Sequence, residues 1–374
     1  MKLKAFRAFG FAAIAALLLA SCGGGDSSPE FKRVVSFGDS LSDLGTYTPA
    51  TSLTQTPGAP PFFGGRFTTN VFTGYTTTSN TNIATIWVEY VAAKVGVPIT
   101  PAEVGFGPAS VKCPAAAVPA LAESCTAYAQ GGALVTNPNG IGKATGALTV
   151  PIVTQVANHL ARFGSFNQSE IVFVFAGSDD IFVELDAFGA GAIDQATAVA
   201  NVTKAATDLA ALVKTEVLGK GARYVAVMNV PDISLTPFGT SLPAPGKAFL
   251  GALSDTFNQA LQNGLAGEPV AMIDIHAIYA DLLTNSAKYG FTNITDPACD
   301  AAKISAITGG QVTDGSPLFC NASPGQPFNG LAAGASPTTW FFADDVHPTT
   351  GGQKRLADAV IARLKDLGWI AENL

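Results

Sequence analysis

The sequence predicts an α/β fold, a single domain in which helices cover both faces of a mainly parallel sheet. Apolar segments without the polar alternation of a half-exposed strand are typical of strands buried on both faces, and they occur at 33–37, 170–176, 223–230 and 269–275. Segments of helical character separate them, at 84–95, 151–163, 193–218, 246–265 and 277–289. This alternation favours a three-layer sandwich, in which sites form beyond the carboxyl ends of the strands.

The first two elements have distinct signatures. Residues 33–37, Arg-Val-Val-Ser-Phe, combine β-branched and aromatic side chains as a buried first strand does. Downstream, Trp87, Val91 and Val95 recur every four residues, which predicts an amphipathic helix at 84–95.

The later elements follow in strict alternation. Residues 151–163 begin with Pro151, which suits the first turn of a helix, and continue with a helical apolar period. Residues 170–176 are a continuous apolar strand, and 193–218 an alanine-rich helix. The segments that follow repeat the strand and helix pattern, so no second domain is needed to accommodate them.

Composition and charge exclude several classes of protein. The chain of 374 residues is 48% hydrophobic and 13% charged, with 39 glycines and 23 prolines, which indicates a loop-rich globular protein. Its formal net charge is −7, and the body of the chain has no run of Lys or Arg. Nucleic acid is therefore not an expected partner, because phosphate binding needs clustered basic residues.

The N-terminus predicts export and lipid anchoring. Residues 1–21 have a basic start followed by an apolar run too short to remain as a membrane-spanning helix, which indicates a signal peptide. Leu-Ala-Ser-Cys at 19–22 resembles the bacterial lipobox, which implies a lipid anchor at Cys22; the alternative is an ordinary secretory peptide. Residues 22–32 are then a flexible tether, and 33–374 the folded domain. Gly23, by resemblance to Gram-negative lipoproteins, favours the outer membrane.

Four further cysteines agree with export. Cys113, Cys125, Cys299 and Cys320 are an even number in an oxidising compartment, and sequence alone allows three pairings. Both sequence-local pairs lie in loop-like regions, so Cys113–Cys125 and Cys299–Cys320 are the simplest prediction. A zinc site is a poor alternative, because the spacing is not CxxC and no histidine is near.

Two motifs near opposite ends of the chain carry candidate chemistry. Phe-Gly-Asp-Ser at 37–40 places Ser40 in a turn after the first strand, where its hydroxyl either faces substrate or caps a helix. Ala-Asp-Asp-Val-His at 343–347 contains His347, with Asp344 three residues earlier and Asp345 as a rival carboxylate. A serine needs a base to become a nucleophile, and that base needs an orienting carboxylate. The other histidines, His159 and His276, are predicted to be structural or solvated.

In this order the motifs resemble the first and last blocks of the GDSL, or SGNH, family of serine hydrolases. Gly-Arg-Phe at 65–67 and Trp-Val-Glu-Tyr at 87–90 are similar to further family segments, and Tyr-Ala-Gln-Gly-Gly-Ala at 128–133 to the second block. The resemblance implies the family's flavodoxin-like three-layer sandwich and no metal or cofactor. It implies Ser40 as nucleophile, His347 as base and Asp344 as its orienter. The oxyanion donors would be the amides of Ser40 and Gly132, with Gly131 as the fallback.

One block departs from the family. Where the family has Gly-x-Asn-Asp, with the asparagine amide in the oxyanion hole, this chain has Gly-Ser-Asp-Asp at 177–180. Asp179 therefore takes the asparagine's place, and an ionised carboxylate cannot donate a hydrogen bond to an oxyanion. Three interpretations stay open: a damaged hydrolase, a protonated Asp179, or a donor supplied elsewhere.

The resemblance implies a monomeric hydrolase of carboxylic esters. Aromatic residues downstream of Ser40 either line an apolar cleft or pack on one another: Phe62, Phe63, Phe67, Phe72 and Tyr75. The first interpretation favours an ester with an apolar or aromatic acyl group. The alternatives are a surface-displayed binding lipoprotein derived from a hydrolase and impaired at Asp179, or transfer of the acyl group to an acceptor other than water.

Overall fold

A six-stranded sheet forms the centre of the molecule. The structure, a computed structural model, describes residues 28–53, 62–63, 65–73, 81–323 and 329–372. All neighbouring strands of the central sheet pair in parallel. In chain order the strands are β1 (Arg33–Gly38), β2 (Thr100–Pro101), β3 (Cys125–Ala127), β4 (Glu170–Phe175), β5 (Tyr224–Met228) and β6 (Ala271–Ile273). Their spatial order is β6-β5-β4-β1-β3-β2, which places β1 inside the sheet.

Helices cover both faces of this sheet. They are α1 (Trp87–Val95), α2 (Ile152–Phe163), α3 (Ser178–Gly189), α4 (Gln195–Leu212), α5 (Pro237–Ser241), α6 (Ala244–Gly264), α7 (Ile275–Thr284), α8 (Ala301–Ile307) and α9 (Thr350–Asp366). Buried side chains of α2, α4 and α6 share one apolar core with the sheet, and those of α1, α7 and α9 share another. The predicted α/β fold, a three-layer sandwich with a mainly parallel sheet, is therefore confirmed.

The strand sequences explain the two cores. Successive side chains of a strand point to opposite faces, so Val35 and Phe37 of β1 pack with α2, α4 and α6, whereas Val34 packs with α1, α7 and α9. All of β4 is buried, and so is β1 after Arg33. A strand buried on both faces has no solvent side to carry polar residues.

Several element boundaries in the structure differ by a few residues from those that the sequence predicts. Helix α1 begins at Trp87, not at 84, because Ile86 is extended and its N–H is accepted by the Glu89 carboxylate at 2.9 Å. The helix predicted at 193–218 is an α-helix as far as Leu212, and a π-helical turn, Val213–Val217, follows it. The strand predicted at 269–275 is shorter, because Asp274 caps α7 by accepting the N–H of Ala277 at 3.0 Å.

The apolar periodicity of the sequence does not predict helices α3 and α9. Each of them lies next to a predicted site motif. Helix α3 begins directly after Gly177, whose φ of 121° is in the left-handed region that favours glycine. A Cβ at Gly177 would also lie 2.1 Å from the Phe257 ring, so this turn requires glycine. Helix α9 begins at Thr350, three residues after His347.

Both predicted disulfides are present. Cys113–Cys125 and Cys299–Cys320 have Cα–Cα distances of 5.2 Å and 5.8 Å. The first includes Cys125, the first residue of β3, and the second belongs to a small separate cluster of buried residues. The local pairing expected from the sequence is therefore confirmed.

Removing either disulfide is expected to lower the free energy of unfolding by about 2–4 kcal/mol, because each restricts a loop of the unfolded chain. The loops span 12 and 21 residues, so the two effects should be similar in size. Urea unfolding of the double variants Cys113→Ser/Cys125→Ser and Cys299→Ser/Cys320→Ser measures them. An unchanged unfolding midpoint in either variant would contradict this expectation.

The predicted signal peptide and the lipidated Cys22 lie outside the described residues, as does Tyr75. The domain boundaries at 22 and 33 stay predictions. In the parts of the chain that the structure describes, no helix combines the length and apolar character needed to cross a membrane.

Candidate active site

The Ser40 turn lies at the carboxyl end of the interior strand β1. Asp39 caps a short helical turn, Ser40–Ser42, and its carboxylate accepts the N–H of Leu41 at 3.1 Å. The cap is therefore Asp39, not a serine. Ser42 is buried and its hydroxyl accepts the indole N–H of Trp87 at 3.2 Å, whereas Ser40 is partly exposed beyond the carboxyl end of β1.

A chain of hydrogen bonds joins Ser40 to the last motif. Ser40 Oγ lies 2.7 Å from His347 Nε2, and His347 Nδ1 lies 2.8 Å from Asp344 Oδ2. The other oxygen of Asp344 accepts the backbone N–H groups of Val346 and His347, at 3.0 Å and 2.6 Å. The structure thus brings together three residues that the sequence separates by up to 307 positions.

The surroundings keep the Asp344 carboxylate ionised. Its burial alone would raise the pKa, but the His347 ring and the hydrogen bonds from His347 and Val346 outweigh burial and lower the pKa below its ordinary value. A charged Asp344 favours the tautomer of His347 with the proton on Nδ1, which leaves Nε2 free to accept from Ser40.

The rival carboxylate and the other histidines lie elsewhere. In the described structure the carboxylate of Asp345 makes no hydrogen bond to His347, and burial followed by repulsion from Asp344 raises its pKa. His159 is buried with its ring stacked 4.4 Å from Phe166, and burial lowers its pKa to about 3. His276 faces Asp255, with 3.4 Å between Nε2 and Oδ1.

The backbone N–H groups of the two glycines in the loop at 128–133 have different surroundings. The N–H of Gly131 donates to Asp43 Oδ2 at 2.9 Å, so this amide is engaged. Gly132 has a φ of 79°, and a Cβ there would lie 2.2 Å from the carbonyl oxygen of Ile141. Its N–H faces the carboxyl of Asp179, whereas the N–H of Gly131 faces Asp43 in the segment after the Ser40 turn.

Asp179 lies in the first turn of α3 and is 7% exposed. Burial, then the nearby carboxyls of Asp39 and Asp180, raises the pKa of Asp179 well above its usual range. The Gly132 N–H acts in the opposite direction and lowers it. Oδ2 of Asp179 has no hydrogen-bond partner among the described atoms.

Two residues that the sequence motifs do not reveal hold the site in position, and the first of them is Asp43. Asp43 accepts the N–H groups of Gly45 at 2.8 Å, Thr46 at 2.7 Å and Gly131 at 2.9 Å, and so ties the Ser40 turn to the glycine loop. Its only sequence signal was a charged residue inside an otherwise buried motif.

Gln155 is the second of these residues. From α2 it accepts the N–H of Gly38 at 2.9 Å and donates to the carbonyl of the same residue at 2.8 Å, which anchors the end of β1. The buried face of α2 carries Gln155 and His159 beside Ile152 and Val156, and this polar pair on a helix face that is otherwise apolar is the hint in the sequence.

Two further motif segments also contact the site. The ring of Phe67 lies 5.0 Å from the His347 ring, centroid to centroid, and is partly exposed. Arg66 pairs with Glu89, so the two downstream segments meet in the structure. The side chains of Phe62, Phe63 and Phe72 lie outside the described residues.

A carboxylate, a histidine and a serine at a strand end, hydrogen-bonded in that order, are the arrangement found in serine hydrolases. Here the arrangement stands beyond the carboxyl end of a parallel strand, where α/β folds place their sites. Fold and site together therefore have the form of an α/β serine hydrolase.

Comparisons with known proteins identify the family. The sequence model described as GDSL-like Lipase/Acylhydrolase matches residues 34–360, so the chain belongs to that family. Esterase EstA from Pseudomonas aeruginosa is 32% identical over 139 residues, which are 37% of this chain and 19% of EstA. The match thus spans about a fifth of that relative's length.

Two longer matches have lower identity. Phosphatidylcholine-sterol acyltransferase from Aeromonas hydrophila is 25% identical over 352 residues, which are 87% of this chain and 88% of that protein. The crystal structure of phospholipase A1 from Streptomyces albidoflavus covers 90% of this chain and 100% of its own, with a TM-score of 0.34 and 13% identity.

Proposed function

We propose that the protein hydrolyses carboxylic esters through an acyl-enzyme on Ser40. The observation that carries the proposal is the hydrogen-bonded chain Ser40–His347–Asp344, with 2.7 Å between Oγ and Nε2 and 2.8 Å between Nδ1 and Oδ2. Membership of a lipase and acylhydrolase family supports it.

The first half-reaction forms the acyl-enzyme. His347 Nε2 takes the hydroxyl proton as Ser40 Oγ attacks the carbonyl carbon of the ester. The amides of Ser40 and Gly132 stabilise the negative oxygen of the tetrahedral intermediate, since no described acceptor occupies the Ser40 N–H. The intermediate collapses, the alcohol takes the proton from His347, and the acyl group stays on Ser40.

The second half-reaction releases the acid. His347 takes a proton from water, the oxygen of that water attacks the acyl carbon, and Ser40 leaves with the proton. Asp344 remains ionised throughout and stabilises the imidazolium that forms at each step.

The acyl group of the substrate is proposed to be apolar or aromatic. The partly exposed Phe67 ring next to His347 offers an apolar contact directly beside the nucleophile. Rates of hydrolysis compared across esters that differ in the size and polarity of the acyl group test this point. An apolar contact stabilises the transition state in proportion to the area it buries.

The experiment is turnover of p-nitrophenyl esters by the purified protein. Acetate, butyrate, octanoate and benzoate esters should all be hydrolysed, faster than a polar ester of the same size. Preincubation with a fluorophosphonate should stop turnover at one equivalent. A protein that turns over no ester and takes up no fluorophosphonate would instead be a binding protein derived from a hydrolase.

Acyl transfer is the second candidate function. It is favoured by the similarity to phosphatidylcholine-sterol acyltransferase, which extends over 87% of this chain. Transfer differs from hydrolysis only in the second half-reaction, where an acceptor hydroxyl replaces water. With a labelled acyl chain and increasing sterol or short alcohol, a transferase forms a new ester at the expense of free acid, and a hydrolase does not.

Lipid anchoring at Cys22 in the outer membrane is also proposed, on the sequence motif alone. Expression of the full chain in a Gram-negative host should give an N-terminal peptide that begins with a lipidated Cys22. Cys22→Ala should release the protein from the membrane fraction, and a parent protein found only in the soluble fraction would contradict the proposal.

A further inference from the structure

The carboxyl groups of Asp39 and Asp179 are both buried and close enough to repel each other. Asp39 precedes Ser40 and is 1% exposed, and Asp179 lies in the first turn of α3 and is 7% exposed. Each has a buried Oδ2 without a hydrogen-bond partner among the described atoms. Neither forms an ion pair with a Lys or Arg of the described chain. Two unpaired carboxylates close together in a buried site cannot both stay ionised without a large free-energy penalty.

The surroundings decide which of the two holds a proton. Oδ1 of Asp39 accepts the N–H of Leu41 at 3.1 Å, and the His347 ring also favours its charged form. Burial outweighs both and raises the pKa of Asp39 to about 7. The Gly132 N–H and the N-terminus of α3 favour the charged form of Asp179, but burial and the carboxyls of Asp39 and Asp180 outweigh them and raise its pKa well above the usual range. The proton therefore belongs on Asp179.

We propose that Asp179 is a neutral carboxylic acid whose O–H donates to the oxyanion, in the place where the family has an asparagine amide. This inference rests on the proposed function. Oδ2 of Asp179 has no partner among the described atoms and is therefore available to share a proton, and the Gly132 N–H lies next to the same carboxyl. The proton of Asp179 is shared in a hydrogen bond and is not transferred, so the reaction itself is unchanged.

The proposal determines the direction of the pH dependence. The titratable groups that face Asp179 are Asp39 from the Ser40 turn, Asp180 from its own helix and Tyr47 from the segment after that turn; His347 faces Asp39. Below its raised pKa Asp179 keeps its proton and donates. As the pH rises through that pKa, the donor is lost and a negative charge faces the oxyanion, so activity falls on the alkaline side.

A competing arrangement makes the opposite prediction. If the Asp179 carboxyl only occupies the Gly132 N–H, it blocks the oxyanion site, and removing it should increase activity. Asp179→Ala distinguishes the two arrangements. Activity should fall if the side chain donates to the oxyanion, and rise if the side chain blocks the Gly132 N–H. Asp179→Asn supplies an amide donor that does not titrate.

The test measures kcat and kcat/KM for p-nitrophenyl butyrate from pH 5 to 9 in the parent, Asp179→Asn and Asp179→Ala. Asp186→Asn, an exposed residue on the same helix, is the control for the charge change. We expect Asp179→Ala to lose about 10²–10³ in kcat, the usual worth of one oxyanion donor. Asp179→Asn should stay active, and its activity should not decline at alkaline pH as that of the parent and of the control does.

An infrared measurement gives an independent readout. The difference spectrum between the parent and Asp179→Asn should show the carbonyl band of one protonated carboxylic acid at pH 8, where Asp39 and Asp180, each with a pKa of about 7, are mostly ionised. Full activity in Asp179→Ala, or no such band in the difference spectrum, would overturn the proposal. If the parent has no turnover that depends on Ser40, the proposed function fails, whereas the infrared band still decides the state of Asp179.

Discussion

Replacing Ser40 by alanine is expected to lower kcat for ester hydrolysis by about 10⁴–10⁶, the largest effect of any single substitution in this chain. Alanine has no hydroxyl to form the acyl-enzyme, and His347 Nε2 loses its partner at 2.7 Å. Only the oxyanion donors and substrate binding would remain to stabilise the transition state. Steady-state kinetics on p-nitrophenyl butyrate measure the loss, and peptide mass mapping should find the fluorophosphonate adduct of the parent on Ser40.

Ser42→Ala is the matched control, two residues away in the same turn. It removes the hydroxyl that accepts the Trp87 indole N–H at 3.2 Å, so it should lower the free energy of unfolding by about 1 kcal/mol. Fluorophosphonate labelling of this variant should be close to that of the parent. Labelling of the Ser40→Ala protein at the parent's rate would show that another residue is the nucleophile.

Asp344→Asn is expected to lower kcat by about 10⁴, the loss known for the equivalent change in a serine protease triad. An asparagine side chain rotated to satisfy the Val346 and His347 N–H groups with its oxygen turns its NH₂ toward Nδ1. The imidazole proton then moves to Nε2, which can no longer accept from Ser40. The KM should change little, because Asp344 is proposed to act only through His347.

The adjacent residue provides the control for this substitution. Asp345→Asn removes the same charge one position away, where no described hydrogen bond joins the side chain to the His347 ring. Its kcat should stay near that of the parent from pH 6 to 8. Equal losses in the two variants would mean that the loss comes from the net charge of the loop and not from the orientation of His347.

Much of the fold and of the site followed from the sequence. Buried parallel strands carry no polar alternation, so β1 and β4 could be predicted from their composition alone. The disulfides followed from cysteine spacing within loops. Ser40 and His347 were identified because each stands in a short motif whose order along the chain is specific to the family.

Contacts between distant segments decided what the sequence left open. Asp344, and not Asp345, meets His347 because a turn directs only one of two adjacent side chains to the ring. Gly131 is engaged by Asp43, 88 positions away, which leaves Gly132 beside Asp179. The state of Asp179 depends on its burial and on the carboxyl of Asp39, which is 140 positions away in the chain. Burial and electrostatic interactions act through space, so only the packed structure determines them.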